Sequence, residues 1–112
     1  MILHVVLLRP KPDLPRDGRD AVVRDLQHAA SEIPTIRGLR IGHRVRHGLP
    51  GYEQAMHEDY EYALLMEFDD LEGLTSYLTH PAHMSLGRHF LVSSSAALAY
   101  DYQIIETPDL VP

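Results

Sequence analysis

Tyr60-Glu61-Tyr62-Ala63-Leu64-Leu65-Met66-Glu67-Phe68 is the stretch on which the fold turns. Alternate residues of a strand face opposite ways, so Tyr62, Leu64, Met66 and Phe68 share one side while Ala63 and Leu65 take the other. Both sides are apolar, and the middle of this strand calls for cover on both faces. Toward the N-terminus, residues 2–8 (Ile2-Leu3-His4-Val5-Val6-Leu7-Leu8) are apolar at nearly every position and predict a second strand of the same kind.

Pro10, Pro12 and Pro15 then end that strand, and Asp13 or Asp17 can cap a helix running to about Glu32. Val22, Val23, Leu26, Ala29, Ala30 and Ile33 form its apolar stripe, and Pro34 closes it. A strand is expected over 38–47, followed by a polar loop with Gly48, Pro50 and Gly51 and one helical turn near Tyr52 to Met56. After the Asp69-Asp70 capping region, Leu71, Leu74, Tyr77 and Leu78 mark a short helix. Pro81 opens another that carries Met84, Leu86, Phe90 and Leu91, and a last strand over 97–106 alternates Leu98, Tyr100, Tyr102 and Ile104 against Ala99, Asp101, Gln103 and Ile105.

The order β-α-β-β-α-β is that of an α+β, ferredoxin-like domain whose four-stranded antiparallel sheet carries its helices on one face. The other face of an apolar sheet needs a partner, and a second copy of the chain is the economical one, which predicts a homodimer. One domain, 1–112, is all that 112 residues support. The segment 107–112, with two prolines, is expected to be a tail outside the sheet that reaches along the partner.

No cysteine is present, which excludes disulfides, thiolate catalysis and cysteine-held metal clusters. The apolar opening is too short to span a bilayer and has no basic region before it, so the expected location is the cytoplasm. A net charge of -6 argues against a general attraction to nucleic acid or anionic membrane. The one basic cluster, Arg37, Arg40, Arg44 and Arg46, reads as a solvated strand face.

Chemistry concentrates in Tyr77-Leu78-Thr79-His80-Pro81-Ala82-His83. The proline ring disfavours the α conformation at His80, and Pro81 suits the first turn of a new helix. His83 then lies near a helix N-terminus, where the dipole opposes a second positive charge and favours the neutral imidazole that a general base requires. The same residues also serve as plain helix punctuation, Tyr77 as a core aromatic, and His4 as a hydrogen-bonded core histidine.

His4-Val5-Val6-Leu7, Tyr62-Ala63-Leu64 with Glu67-Phe68, the Tyr77 to His83 stretch and Tyr100-Asp101-Tyr102 together resemble the stress-responsive A/B barrel (Dabb) family. The resemblance implies a dimeric α/β barrel made from two ferredoxin-like sheets. That family includes plant polyketide cyclases that perform an aldol condensation without metal or cofactor. By the resemblance, the catalytic pair falls on His83 as base and Tyr77 beside it, with His4 and Tyr62 lining the substrate site. Tyr62 stands where the plant cyclase has a further histidine, which changes the pocket lining.

Rival chemistries have weaker signatures. His80 and His83 have a chelating i, i+3 spacing and His43, His47, His57 and His89 could add ligands, but Pro81 interrupts the helix face, so no metal is expected. Ser93-Ser94-Ser95 lacks the glycine-flanked turn of a nucleophile and reads as a helix end. The glycines are dispersed and make no phosphate loop, so no cofactor is expected. Two functions remain: a cofactor-independent lyase or cyclase acting on a ketonic or aromatic molecule, and a non-catalytic dimer that binds a small ligand or serves a stress response through its surface.

Overall fold

The doubly apolar strands sit side by side at the centre of the sheet. In the computed structural model, which describes residues 1–105, the elements are β1 Ile2–Pro10, α1 Arg16–Glu32, β2 Gly38–His43, β3 Tyr62–Phe68, α2 Leu71–Leu78, α3 Pro81–Ser93 and β4 Ser94–Gln103. The sheet order is β2-β3-β1-β4 and every pairing is antiparallel. The expected tail 107–112 lies outside the described residues.

Register decides which residues meet the helices. Ile2 pairs with Phe68, His4 with Met66 and Val6 with Leu64, and all six are buried on the helix-bearing face. Leu26, Ala29 and Ile33 of the α1 region, Leu74 and Tyr77 of α2 and Leu86 of α3 complete that core. Each fully buried side chain of this size contributes roughly 2–3 kcal/mol of transfer free energy, so this layer holds the fold. Leu3, Val5, Leu7 and Leu65 point to the opposite face, where Leu98, Tyr100 and Tyr102 of β4 join them, the two tyrosines about half exposed.

Several boundaries differ from the sequence expectation, among them the start of β3 at Tyr62 rather than Tyr60 and the end of β4 at Gln103 rather than 106. Neither Asp13 nor Asp17 caps α1: Pro15 stands at the N-cap with no side-chain bond, and Asp17 lies in the first turn, where its charge suits the helix dipole. β2 ends at His43 instead of 47: one more backbone bond runs from the Arg44 N–H to the Glu61 carbonyl at 2.8 Å, and the Arg44 and Arg46 side chains then share Asp59. β1 continues to Pro10, whose missing N–H is tolerated at an irregularity in the ladder. That extension gives Ser94 a partner, so β4 begins at Ser94 and not at 97, and Ser94 and Ser95 belong to the strand.

The helix starts near the candidate site follow their local chemistry. Asp70 caps α2 through a 2.8 Å bond from the Gly73 N–H. His80 is extended, as a residue before proline should be, and its Nδ1 accepts the Ala82 N–H at 3.0 Å to cap α3. Pro81 follows at the first helical position.

Candidate acid-base site

The corner between α2 and α3 hangs over the β1–β4 edge of the core, and there the polar residues converge. Tyr77 is 1% exposed, its ring 4.6 Å from that of His83, 5.5 Å from His4 and 5.4 Å from Phe68. His4 is 4% exposed, and its Nδ1 lies 2.5 Å from Asp101 Oδ1 on the neighbouring strand. One continuous cluster, Asp101, His4, Tyr77 and His83, thus joins two strands to both helices.

Hydrogen bonding fixes the state of His83. Its Nδ1 lies 3.0 Å from the Leu78 carbonyl oxygen, which can only accept, so Nδ1–H donates and the neutral ring keeps its lone pair on Nε2. Burial holds the imidazole below its ordinary 6.5; the Leu78 bond opposes that and the neighbouring His4 adds to it. His83 is half-buried, at the rim of the cluster. Burial, and then the Asp101 charge, push the Tyr77 phenol well above its usual range, so its hydroxyl stays protonated as a hydrogen-bond donor throughout the physiological range.

His83, Tyr77 and His4 come together in one cluster, and His80 stands aside as the cap of α3. Tyr62 does not join them. It lies near the far end of β3 from Phe68, edge-on to His43, and lines a separate apolar pocket of about 130 Å³ between α1, the sheet and α3. None of His4, Tyr77 and His83 lines that pocket. Asp101 is the member of the cluster that sequence reasoning did not assign to the site. Its signal was a lone carboxylate between two tyrosines, on the face of β4 that carries the histidine-bearing core.

Among the described residues, no group of three or more histidine, aspartate and glutamate side chains is arranged to hold a metal ion. No helix there is long and apolar enough to cross a membrane.

The sequence matches the model of the stress responsive A/B barrel domain, Dabb, over residues 2–104, and the chain belongs to that family. Its fold is similar to that of the At3g17210 protein of Arabidopsis thaliana, with a TM-score of 0.79 and 20% identity, covering 96% of this chain and 98% of that one. The hydroxynitrile lyase of Passiflora edulis superposes with a TM-score of 0.80 at 16% identity, covering 95% and 94%. A dimeric ferredoxin-like protein of Jannaschia sp. CCS1 matches with a TM-score of 0.73 and 26% identity over 92% of this chain and 98% of its own. No curated protein matches the sequence.

Proposed function

We propose that this protein is a cofactor-independent acid-base catalyst that makes or breaks a carbon–carbon bond beside a carbonyl group. The observation that carries the reading is the His83–Tyr77 pair: a neutral imidazole with its lone pair on Nε2, edge-on to a phenol kept protonated. His83 Nε2 removes a proton from a carbon between two carbonyls, and the electron pair moves onto oxygen as an enolate. Tyr77 donates a hydrogen bond to that oxygen. The enolate carbon then attacks a second carbonyl, as in polyketide-type aldol cyclisation, and the new alkoxide takes the proton back from the His83 imidazolium. His4, held by Asp101, backs the phenol from the sheet side.

The lyase neighbour from Passiflora edulis supports the chemical class, because releasing a carbonyl compound from a hydroxynitrile also needs a positioned proton acceptor. The acting form is a homodimer in the cytoplasm, with the open sheet faces of Leu3, Val5, Leu65 and Tyr100 packed together into a barrel. A second reading, a non-catalytic stress-responsive dimer that binds a small ligand, is favoured by one observation: the apolar pocket lies apart from His83 and Tyr77.

Deuterium exchange separates the two. In D2O the protein should accelerate loss of the C–H signal of a β-keto ester, and His83→Ala should cut that rate by roughly a hundredfold to ten-thousandfold while the fold persists. Equal exchange by both proteins leaves the binding reading.

A further inference from the structure

The long connection between β2 and β3, residues 44–61, shows water more apolar surface than a solvated loop needs. Val45, Leu49, Tyr52 and Met56 are each more than half exposed. The segment is nevertheless held in one shape. Asp59 takes Arg44 and Arg46 together, Glu53 accepts the Gly48 N–H and lies 3.2 Å from His47 Nε2, and the His47 and Tyr52 rings meet edge to face at 5.2 Å. Surface ion pairs of this kind offset little of the conformational entropy that ordering so long a segment costs. A long ordered loop with large apolar groups in water is short of a contact.

Two observations say what supplies that contact. The loop is continuous with the open face of the sheet: Arg9, on the same side of β1 as Leu7, donates to Glu58 at 3.2 Å. Arg44, Glu58 and Tyr60 then border a depression of about 340 Å³ that Leu7, Gly42 and Ala63 of the sheet also line. With about 150–220 Å² to each side chain, the four apolar loop residues expose roughly 450 Å². Together with Leu98, Tyr100 and Tyr102 on the sheet, this exceeds the largest apolar patch of an ordinary monomer, about 300–600 Å². The second observation is charge. Arg37, Arg40, Arg44 and Arg46 each have a carboxylate partner within the chain, on Asp69, Glu67 and Asp59, so this edge holds out no free guanidinium to an anionic partner. Recognition here is left to apolar contact, and a two-fold assembly through the open face sets a second apolar surface beside each loop.

We infer that residues 44–61 form an arm of the dimer, packing Val45, Leu49, Tyr52 and Met56 against the second copy of this chain at the rim of its open sheet face. The inference rests on the homodimer proposed above and adds to it a contact outside the sheet, so it can fail while that dimer stands.

The chain has no cysteine, so Leu49→Cys carries a nitroxide at a single place. In dimers mixed from nitroxide-bearing chains and isotope-labelled wild-type chains, the amide signals of β1 and β4 in the isotope-labelled copy should broaden. Leu49→Asp and Met56→Asp should each raise the dimer dissociation constant by about tenfold to a hundredfold in sedimentation, with the circular dichroism unchanged. Leu91→Asp, an exposed apolar residue of the helix layer changed in the same way, should leave that constant as it was. Asp59→Asn, which releases Arg44 and Arg46 without removing any apolar group, should raise it by about threefold to tenfold. Absence of broadening across the mixed dimer, broadening confined to α1 and α3, or loop variants that dimerise as tightly as the wild type would each overturn the inference and leave the dimer intact. A wild-type chain that sediments as a monomer at micromolar concentration would overturn both.

Discussion

Replacing Tyr100 by aspartate tests the assembly, because its side chain stands on the open sheet face, on the edge strand β4 opposite Val5 in the ladder, and takes no part in the buried core. It is 55% exposed in the single chain. A tyrosine has about 200 Å² to cover, so about 110 Å² of Tyr100 awaits a partner. At about 25 cal/mol per Å² its coverage contributes close to 3 kcal/mol per protomer. In a two-fold symmetric interface the residue occurs twice, and Tyr100→Asp therefore removes about 5 kcal/mol of association free energy, between three and four decades in the dimer dissociation constant. Desolvation of the new carboxylates adds to that loss. Sedimentation across a concentration series should show a wild-type dimer at micromolar concentration and a monomeric variant, while circular dichroism shows the same melting of the helix layer. Tyr102→Asp, on the same face and 52% exposed, should behave alike. A wild-type monomer, or two aspartate variants that remain dimers, would refute the assignment of this face.

Tyr77→Phe keeps the ring among His4, Phe68 and His83 and should leave the melting temperature nearly unchanged, while turnover of a ketonic substrate falls by about tenfold to a hundredfold for one lost hydrogen bond to developing charge. Tyr77→Ala should instead cost about 3–5 kcal/mol in denaturant unfolding through the cavity it leaves. Because burial lowers the His83 pKa, the unfolded chain binds the proton more readily; stability is full above 6.5, declines as pH falls from 6.5 toward the folded value, and levels off below it, and the acid limb of kcat/KM should lie below 6.5. An acid limb at or above 6.5, or a limb unmoved in His83→Gln, would show that another group limits the rate. His80→Ala removes the side-chain acceptor of the Ala82 N–H and should destabilise α3 by about 1 kcal/mol, read as a lower denaturation midpoint.

The sheet was legible because its period is two. Leu64, Met66 and Phe68 are buried on one face while Leu65 turns to the other, as their alternation in sequence demands. The Pro81 corner was legible for a different reason: proline constrains two residues at once, so His80 became the cap and His83 the first-turn imidazole whatever packed around them. What could not be read was anything that depends on a second strand's register. The start of β4 is set by how far β1 extends, and that length is not encoded in β4 itself. Asp101 meets His4 only because β4 pairs with β1 in one particular register, and a shift of one residue would have turned it to the open face. Tyr62 belongs to the same face as Met66, yet the three residues between them carry it toward the pocket end of the sheet, away from His4 and His83.

That geometry gives β1 three separate tasks on nine residues. His4 serves the acid-base cluster, Leu8 the wall of the apolar pocket, and Leu3, Val5 and Leu7 the open face. Strand periodicity keeps the first two on one side and the third on the other, so a change at Val5 acts on assembly without touching His4. Between His4 and Leu8 stands Val6, buried against Leu64, and it is the only residue of β1 on this face that separates the polar end from the pocket. Enlarging that side chain would strain both ends at once, whereas Val6→Ala would open the wall between them. His4 and Leu8 thus stand four residues apart along the strand, and one valine on their shared face keeps the polar cluster from the apolar pocket.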